Sequence, residues 1–239
     1  MNKVIKFCLI MKNPQYRRAF LRHRVAAAVE HENLFSRIGS ELETVVDIGA
    51  NRGQFALIAS VHAPKAQIHS FEPLEEANEV FRLVFQEQPN VVLHKHAIGS
   101  ALAEALLHVS RADDSSSLLP ISDLQVSIFP GTEERSVRAV EVKPLAETLN
   151  KAMLHPPALL KIDVQGYELE VLKGCADLLT SFNYLLIEGS YVELYEGQAL
   201  VDEIIQYLDL AGFEFVERQN LMRNKQHEPI QADFFFQSI

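Results

Sequence analysis

Two glycines four residues apart, set between a buried apolar run and a helical pattern, constrain this chain more than any other feature. The segment is Val45-Val46-Asp47-Ile48-Gly49-Ala50-Asn51-Arg52-Gly53-Gln54-Phe55-Ala56. Thr44 to Ile48 is β-branched and apolar apart from Asp47, which suits a strand covered on both faces, whereas Phe55, Leu57, Ile58 and Val61 recur at helical spacing. A strand that enters a helix through Gly49 and Gly53 can turn tightly and let a ligand approach the backbone, because no Cβ stands in the way. The free N–H groups at the start of such a helix favour an anionic or polar ligand group.

A second signal follows at the spacing this kind of turn requires. Gln67-Ile68-His69-Ser70-Phe71-Glu72-Pro73 reads as a short strand ending in an acid 23 residues after Gly49. In nucleotide-binding α/β folds the second strand ends beside the first, and a carboxylate at its tip accepts hydrogen bonds from a ribose. Pro73 stops the strand and starts the next helix, since it fixes φ and donates no ladder hydrogen bond.

The turn also bears on which nucleotide is bound. A dinucleotide fingerprint has a middle glycine that admits a pyrophosphate, and here that position is Asn51. Its side chain takes up space beside a pyrophosphate but can hydrogen-bond an amino-acid head group or a ribose. Asp47, near the strand end, can orient the loop or face an ammonium group. Both suit S-adenosylmethionine better than NAD.

Later segments extend the pattern. They are His96-Ala97-Ile98-Gly99, Ser115-Ser116-Ser117-Leu118 and the long run Leu160-Lys161-Ile162-Asp163-Val164-Gln165-Gly166-Tyr167-Glu168-Leu169-Glu170-Val171-Leu172-Lys173-Gly174. Together with the turn and Phe71-Glu72-Pro73, these motifs resemble the FkbM family of S-adenosylmethionine-dependent methyltransferases, over about Val45 to Ile187. The resemblance implies a Rossmann-like α/β fold of the class I methyltransferases, with a seven-stranded mainly parallel sheet and an antiparallel final strand. It implies cofactor contacts from Asp47, Gly49, Asn51, Gly53, Phe55, Glu72 and Pro73, from Ala97 and Ile98 along the adenine, and from Ser116 and Asp163. It also implies O-methylation of a saccharide or related natural-product hydroxyl. The chain departs at Gln165, where the family pattern leads one to expect an acid.

The wider patterning agrees with an α/β layer structure. Strands are expected at 43–48, 67–71, 91–95, 104–109, 136–142, 158–163, 183–188, 213–218 and 232–237. Helices are expected at 16–38, 53–62, 75–86, 144–152, 167–179 and 199–211. This alternation predicts helices on both faces of a parallel sheet, closed by an antiparallel pair. A length of 239 residues and 48% hydrophobic content provide one sizeable core. Residues 110–135 interrupt the alternation with Asp113, Asp114, three serines, Pro120, Pro130 and Gly131. An irregular stretch of that length reads either as a lid over the site or as a surface loop.

Charge divides the chain unevenly. Residues 1–24 hold seven basic side chains and no acid, while the rest carries 15 of the 22 basic residues and all 32 acidic ones. The expected organisation is a basic amphipathic helical arm at 1–40 and a methyltransferase domain at 41–239. Phe20, Leu21, Val25 and Val29 of the arm would pack on the domain. Alternatively the arm meets an anionic surface or donor. Val4 to Met11 is far short of the ~20 residues needed to cross a bilayer. The acidic body argues against nucleic acid as a partner. Cys8 and Cys175 form no CxxC pattern, so a cytoplasmic setting, or one peripheral to a membrane, is the simplest inference.

For the chemistry, Asp163 at the carboxyl end of a buried strand is the first candidate base, with Glu188 the second. Glu168 lies in the first turn of the next helix, where it acts catalytically or serves the helix dipole. The two carboxylates could hold a divalent cation, but their spacing is too loose to claim a metal. No role is assigned to His94, His96 or the other histidines. Tyr191, Glu193 and Tyr195 either face a sugar or form a packed turn. Two readings from other classes stay open here: a nicotinamide-dependent oxidoreductase and a noncatalytic cofactor-binding module.

Overall fold

Five consecutive buried residues make β1 (Thr44–Ile48), and its position decides the rest of the sheet. A strand with no exposed residue needs a paired neighbour along each edge and cover on both faces. Parallel partners supply the edges: β2 (Gln67–Phe71) on one side and β7 (Ala158–Ile162) on the other, with Val46 opposite both His69 and Leu160. β3 (Val91–His94) extends the sheet beyond β2, and β8 (Tyr184–Ser190) extends it beyond β7, both parallel. β10 (Pro229–Ser238) then joins β8 antiparallel, and β9 (Phe213–Arg223) closes the edge antiparallel to β10. The order β3-β2-β1-β7-β8-β10-β9 is the seven-stranded, mainly parallel sheet expected from the sequence. The computed structural model describes residues 2–239, apart from the side chain of Asp113.

The two faces carry separate apolar cores because side chains alternate along each strand. Val45, Leu159 and Leu186 face α4 (Gln54–His62) and α5 (Glu75–Phe85), together with α1 (Lys3–Lys12), α2 (Pro14–His23) and α3 (Glu32–Ile38). Val46, Leu160, Ile162 and Ile187 face α7 (Glu168–Gly174), α8 (Ala176–Leu179) and α9 (Val201–Leu210). Each fully buried Leu, Ile or Phe in these layers contributes ~1.5–3 kcal/mol relative to exposure. The α/β architecture is therefore held from both sides of β1.

Several expectations change. The helix expected over 16–38 is broken: α2 ends where Arg24 adopts a left-handed conformation (φ 61°), and Val25 to Ala28 run without helix into a 3₁₀ turn before α3. In place of a helix at 144–152 there are two 3₁₀ turns, Leu145–Glu147 and Lys151–Met153. The strands expected at 104–109 and 136–142 leave the main sheet. As β5 (Ala103–Ser110) and β6 (Glu134–Lys143) they pair with β4 (Ala97–Ile98) in a three-stranded sheet of order β4-β6-β5. The irregular stretch also contains a short helix, α6 (Asp123–Ile128), capped by the Ser122 hydroxyl. In the arm, Val25 and Val29 are buried and Phe20 is partly so, but Leu21 is exposed.

Candidate active site

The loop after β1 is shaped by three left-handed residues, Gly49 (φ 79°), Asn51 (φ 46°) and Gly53 (φ 91°). Gly49 permits contact between strand ends: a Cβ there would lie 1.8 Å from the Asp163 carbonyl oxygen. Gly53 serves packing, since its Cβ would meet the Phe85 ring at 2.4 Å. Glu72, at the tip of β2, fastens the loop. Its carboxylate accepts from the Asn51 backbone N–H at 2.9 Å and from the Leu74 N–H at 2.7 Å. The Asn51 side chain turns back to accept from the Arg52 N–H at 2.6 Å. Burial pushes the Glu72 carboxyl up to about 7, against those two hydrogen bonds.

A cavity of about 270 Å³ opens at the carboxyl ends of β1, β2 and β7. Gly49, Asn51, Phe55, Glu72 and Pro73 form one wall, and Ala97, Ile98 and Ser116 another. Asp163 and Gln165 line it as well. Nine of the residues expected at a cofactor site are thus brought together. Asp47 and Gly53 stand back from the cavity, as do Glu168 and Glu188. The cavity also takes residues the sequence reading passed over: Gln54 and Leu107, and Lys6, Glu30 and His31 from the arm. Gln54 could have been found from its place in the first helical turn after Gly53. The arm residues follow from tertiary packing, for which no local signal exists. Gln54 Oε1 and His31 Nδ1 are buried and have no protein partner among the described residues.

Asp47 works from beneath. It is fully buried, and Lys161 Nζ lies 3.0 Å from its Oδ1 and 3.0 Å from the Gly49 carbonyl oxygen. Asp163 Oδ2 is 3.7 Å from the same ammonium. Burial alone would favour the neutral amine, but Asp47 and Asp163 outweigh it and hold Lys161 above its ordinary value. Burial pushes the Asp47 carboxyl up while Lys161 pulls it down. The 3.0 Å contact between buried groups makes this an ion pair that ties β1 to β7.

Gln165 joins two carboxyl groups. Its Nε2 donates to Asp163 Oδ1 at 2.8 Å and to Glu188 Oε2 at 2.6 Å. Tyr195 Oη lies 2.9 Å from Gln165 Oε1, and Ser117 Oγ donates to the Gln165 carbonyl at 2.6 Å. Gln165 itself is left-handed (φ 57°). Glu188 is held well above the carboxylate range, first by burial and then by the charges of Asp163 and Asp233. Glu168 braces the loop by accepting from the Gly166 N–H at 2.9 Å and the Val164 N–H at 3.2 Å, and burial pushes it to about 7. Among the described residues no three His, Cys, Asp or Glu side chains gather as metal ligands would.

Tyr195 is buried, so it forms part of the packed frame, and Tyr191 Oη accepts from Arg218 at 2.8 Å. His94 stacks on Phe71 at 4.5 Å and lies 3.2 Å from His69, while His96 bonds to Thr148 at 2.9 Å. Neither histidine lines the cavity. Burial lowers both, His94 to about 4.

Comparison with known proteins agrees with this geometry. Residues 47–215 match the model of the methyltransferase FkbM domain. The chain is similar to the 2-O-methyltransferase NoeI of Sinorhizobium fredii, at 27% identity over 85% of this chain and 88% of that protein. It is similar to the hexuronic acid methyltransferase AglP of Haloferax volcanii, at 28% identity over 62% of this chain and 56% of that protein. It is also similar to the 31-O-demethyl-FK506 methyltransferase FkbM of Streptomyces tacrolimicus, at 23% identity over 79% and 80%. Family membership decides for methyl transfer over hydride transfer or cofactor binding alone. With the match covering most of the chain, and with the glycine turn, Glu72 and the Asp163 strand end gathered at one cavity, this protein belongs to the FkbM family of methyltransferases.

Proposed function

We propose that this protein transfers the methyl group of S-adenosylmethionine to a hydroxyl of a saccharide or a related small natural product. The observation that carries the reading is the cavity running from Glu72 past Gly49 to Asp163, with a hydrogen-bond acceptor at each end. Bound S-adenosylmethionine supplies an electrophilic methyl on a sulfonium. Glu72 would accept from the ribose hydroxyls, and Pro73, Ala97 and Ile98 would cover the adenine. Gln54 Oε1, buried and unpartnered, offers an acceptor for an ammonium group.

Positioning supplies most of the acceleration for such a transfer, because the acceptor oxygen must lie in line with the methyl and ~3 Å from it. A hydroxyl must also lose its proton. Asp163 lines the cavity just beyond β7 and takes that role, while Gln165 holds its carboxylate. Glu188 lies behind, and the same Gln165 amide that donates to Asp163 donates to its Oε2. The sugar class of acceptor is supported by the relatives, whose names include a hexuronic acid methyltransferase. The polar wall of Lys6, Glu30 and His31 supports it too, since alternating donors and acceptors suit a polyhydroxylated ligand.

The test is incubation with methyl-labelled S-adenosylmethionine and a panel of free glycans, lipid-linked sugars and hydroxylated polyketides, followed by mass spectrometry. O-methylated sugar is the expected product. Methylation only on nitrogen or carbon would overturn the hydroxyl assignment, and transfer confined to non-sugar hydroxyls would overturn the saccharide.

A further inference from the structure

Helix α1 buries one side and leaves most of the other exposed, although Phe7 meets the Phe20 ring edge-on at 6.0 Å. Ile10 is buried and Leu9 packs on the core beneath, and Lys6 Nζ bonds to Glu30 at 2.8 Å. On the outer side Val4, Ile5 and Phe7 are 68%, 53% and 49% exposed, with Cys8 exposed beside them. Lys3 and Lys12 stand exposed at the two ends of this helix. The neighbouring α2 adds the exposed Arg17 and Arg22 and the 61%-exposed Leu21. No acid occurs in residues 1–24, although the chain as a whole is at −10.

Exposed apolar side chains on one helix face, framed by lysines, form the pattern of a helix that lies in a membrane interface with its apolar side among the acyl chains. Single exposed apolar residues need no explanation, but three within one helical turn do. Charge then selects the surface: a local block of bases on an otherwise acidic protein is attracted to anionic headgroups, and the acidic body is kept facing away. Among the described residues no helix is long and apolar enough to cross a membrane. We propose that the outer face of α1 docks this protein on an anionic lipid surface. Lys6, on the inner side of the same helix, lines the cavity. The proposal does not depend on which acceptor is methylated.

The experiment is sedimentation of the full chain with phosphatidylcholine vesicles, with or without about one third phosphatidylglycerol, at low and high salt. Expected is binding to the anionic vesicles at least about tenfold tighter than to the neutral ones, weakened by salt. The double variant Val4→Asp with Ile5→Asp, whose side chains touch neither core nor cavity, should lose that binding about tenfold while its melting temperature and S-adenosylmethionine affinity stay unchanged. An environment-sensitive dye on Cys8 should shift to the blue with anionic vesicles only. Absence of binding, equal binding to neutral vesicles, or full binding by the double variant would overturn the proposal. So would a stable dimer of the wild type that the double variant abolishes, because a second copy would then cover this face.

Discussion

Lys161 Nζ lies 3.0 Å from Asp47 Oδ1, and both groups are almost completely removed from solvent. The pair connects the two strands whose ends form the floor of the cavity, and Lys161 reaches on to the Gly49 carbonyl at 3.0 Å. Its removal from one side leaves an uncompensated buried charge. Lys161→Met should therefore cost ~3–5 kcal/mol of stability, and pairing it with Asp47→Leu should restore most of that loss. Urea unfolding of the single and double variants measures both. A single variant within experimental error of the wild type would show that the pair is not the tie described.

Gly49 and Gly197 separate close approach from backbone strain. Both have positive φ, 79° and 78°, but a Cβ at Gly197 meets nothing within 4 Å, whereas at Gly49 it meets the Asp163 carbonyl. Gly197→Ala should cost only ~1 kcal/mol, the lower end for a strained backbone. Gly49→Ala should cost several times more and abolish cofactor binding, because the β1 and β7 ends must part. Thermal melts and calorimetric titration with S-adenosylmethionine compare the two.

Glu72 and Glu168 set a pH dependence. Burial raises both carboxyls from their ordinary range to about 7, so the folded state holds these protons more tightly than the unfolded chain does. Their contribution to the stability of the ligand-free protein is complete below the ordinary carboxyl range and is lost as pH rises through about 7. Cofactor affinity runs the other way, since an ionised Glu72 offers more lone pairs to the ribose. S-adenosylmethionine should bind more tightly as pH rises across that region, and Glu72→Gln should flatten the curve and weaken binding ~10–100-fold.

Gln165 is the neutral member of an acidic group. Replacing its amide by a carboxyl (Gln165→Glu) places a third acid between Asp163 and Glu188, 2.8 Å and 2.6 Å from the atoms it now donates to. The variant should be destabilised above neutral pH by ~1–3 kcal/mol, and less at acid pH where one carboxyl keeps a proton. Turnover should fall about tenfold, with a smaller change in KM for S-adenosylmethionine, since the variant disturbs Asp163, the proposed base, more than the residues proposed to hold the cofactor. Melting curves and kinetics at acid and alkaline pH check the split.

The residues that gather around the cavity were legible where their signals are local. Gly49, Asn51 and Gly53 announce a left-handed loop, and Glu72 announces a strand tip at a fixed distance. The parallel strands declared themselves through apolar runs bounded by turns. What stayed hidden is set by nonlocal pairing. The β4-β6-β5 sheet joins Ala97 to Val142 across more than forty residues, which no periodicity records. His31 and Lys6 reach the cavity only because α1 and the following segment fold back over it. The helix expected at 144–152 failed because Asn150 caps a new turn at the Ala152 N–H and splits the segment in two. Gln165 was visible as a departure from the family pattern, but its bridge between Asp163 and Glu188 needed coordinates.

A crystal structure with S-adenosylhomocysteine bound checks the proposed pose, in which the cofactor runs from Glu72 to Asp163 with its methyl toward Asp163. Expected are both ribose hydroxyls on the Glu72 carboxylate, the adenine between Pro73 and Ile98, and the thioether sulfur facing Asp163. Adenosine bound outside this cavity, or a sulfur directed away from Asp163, would contradict it.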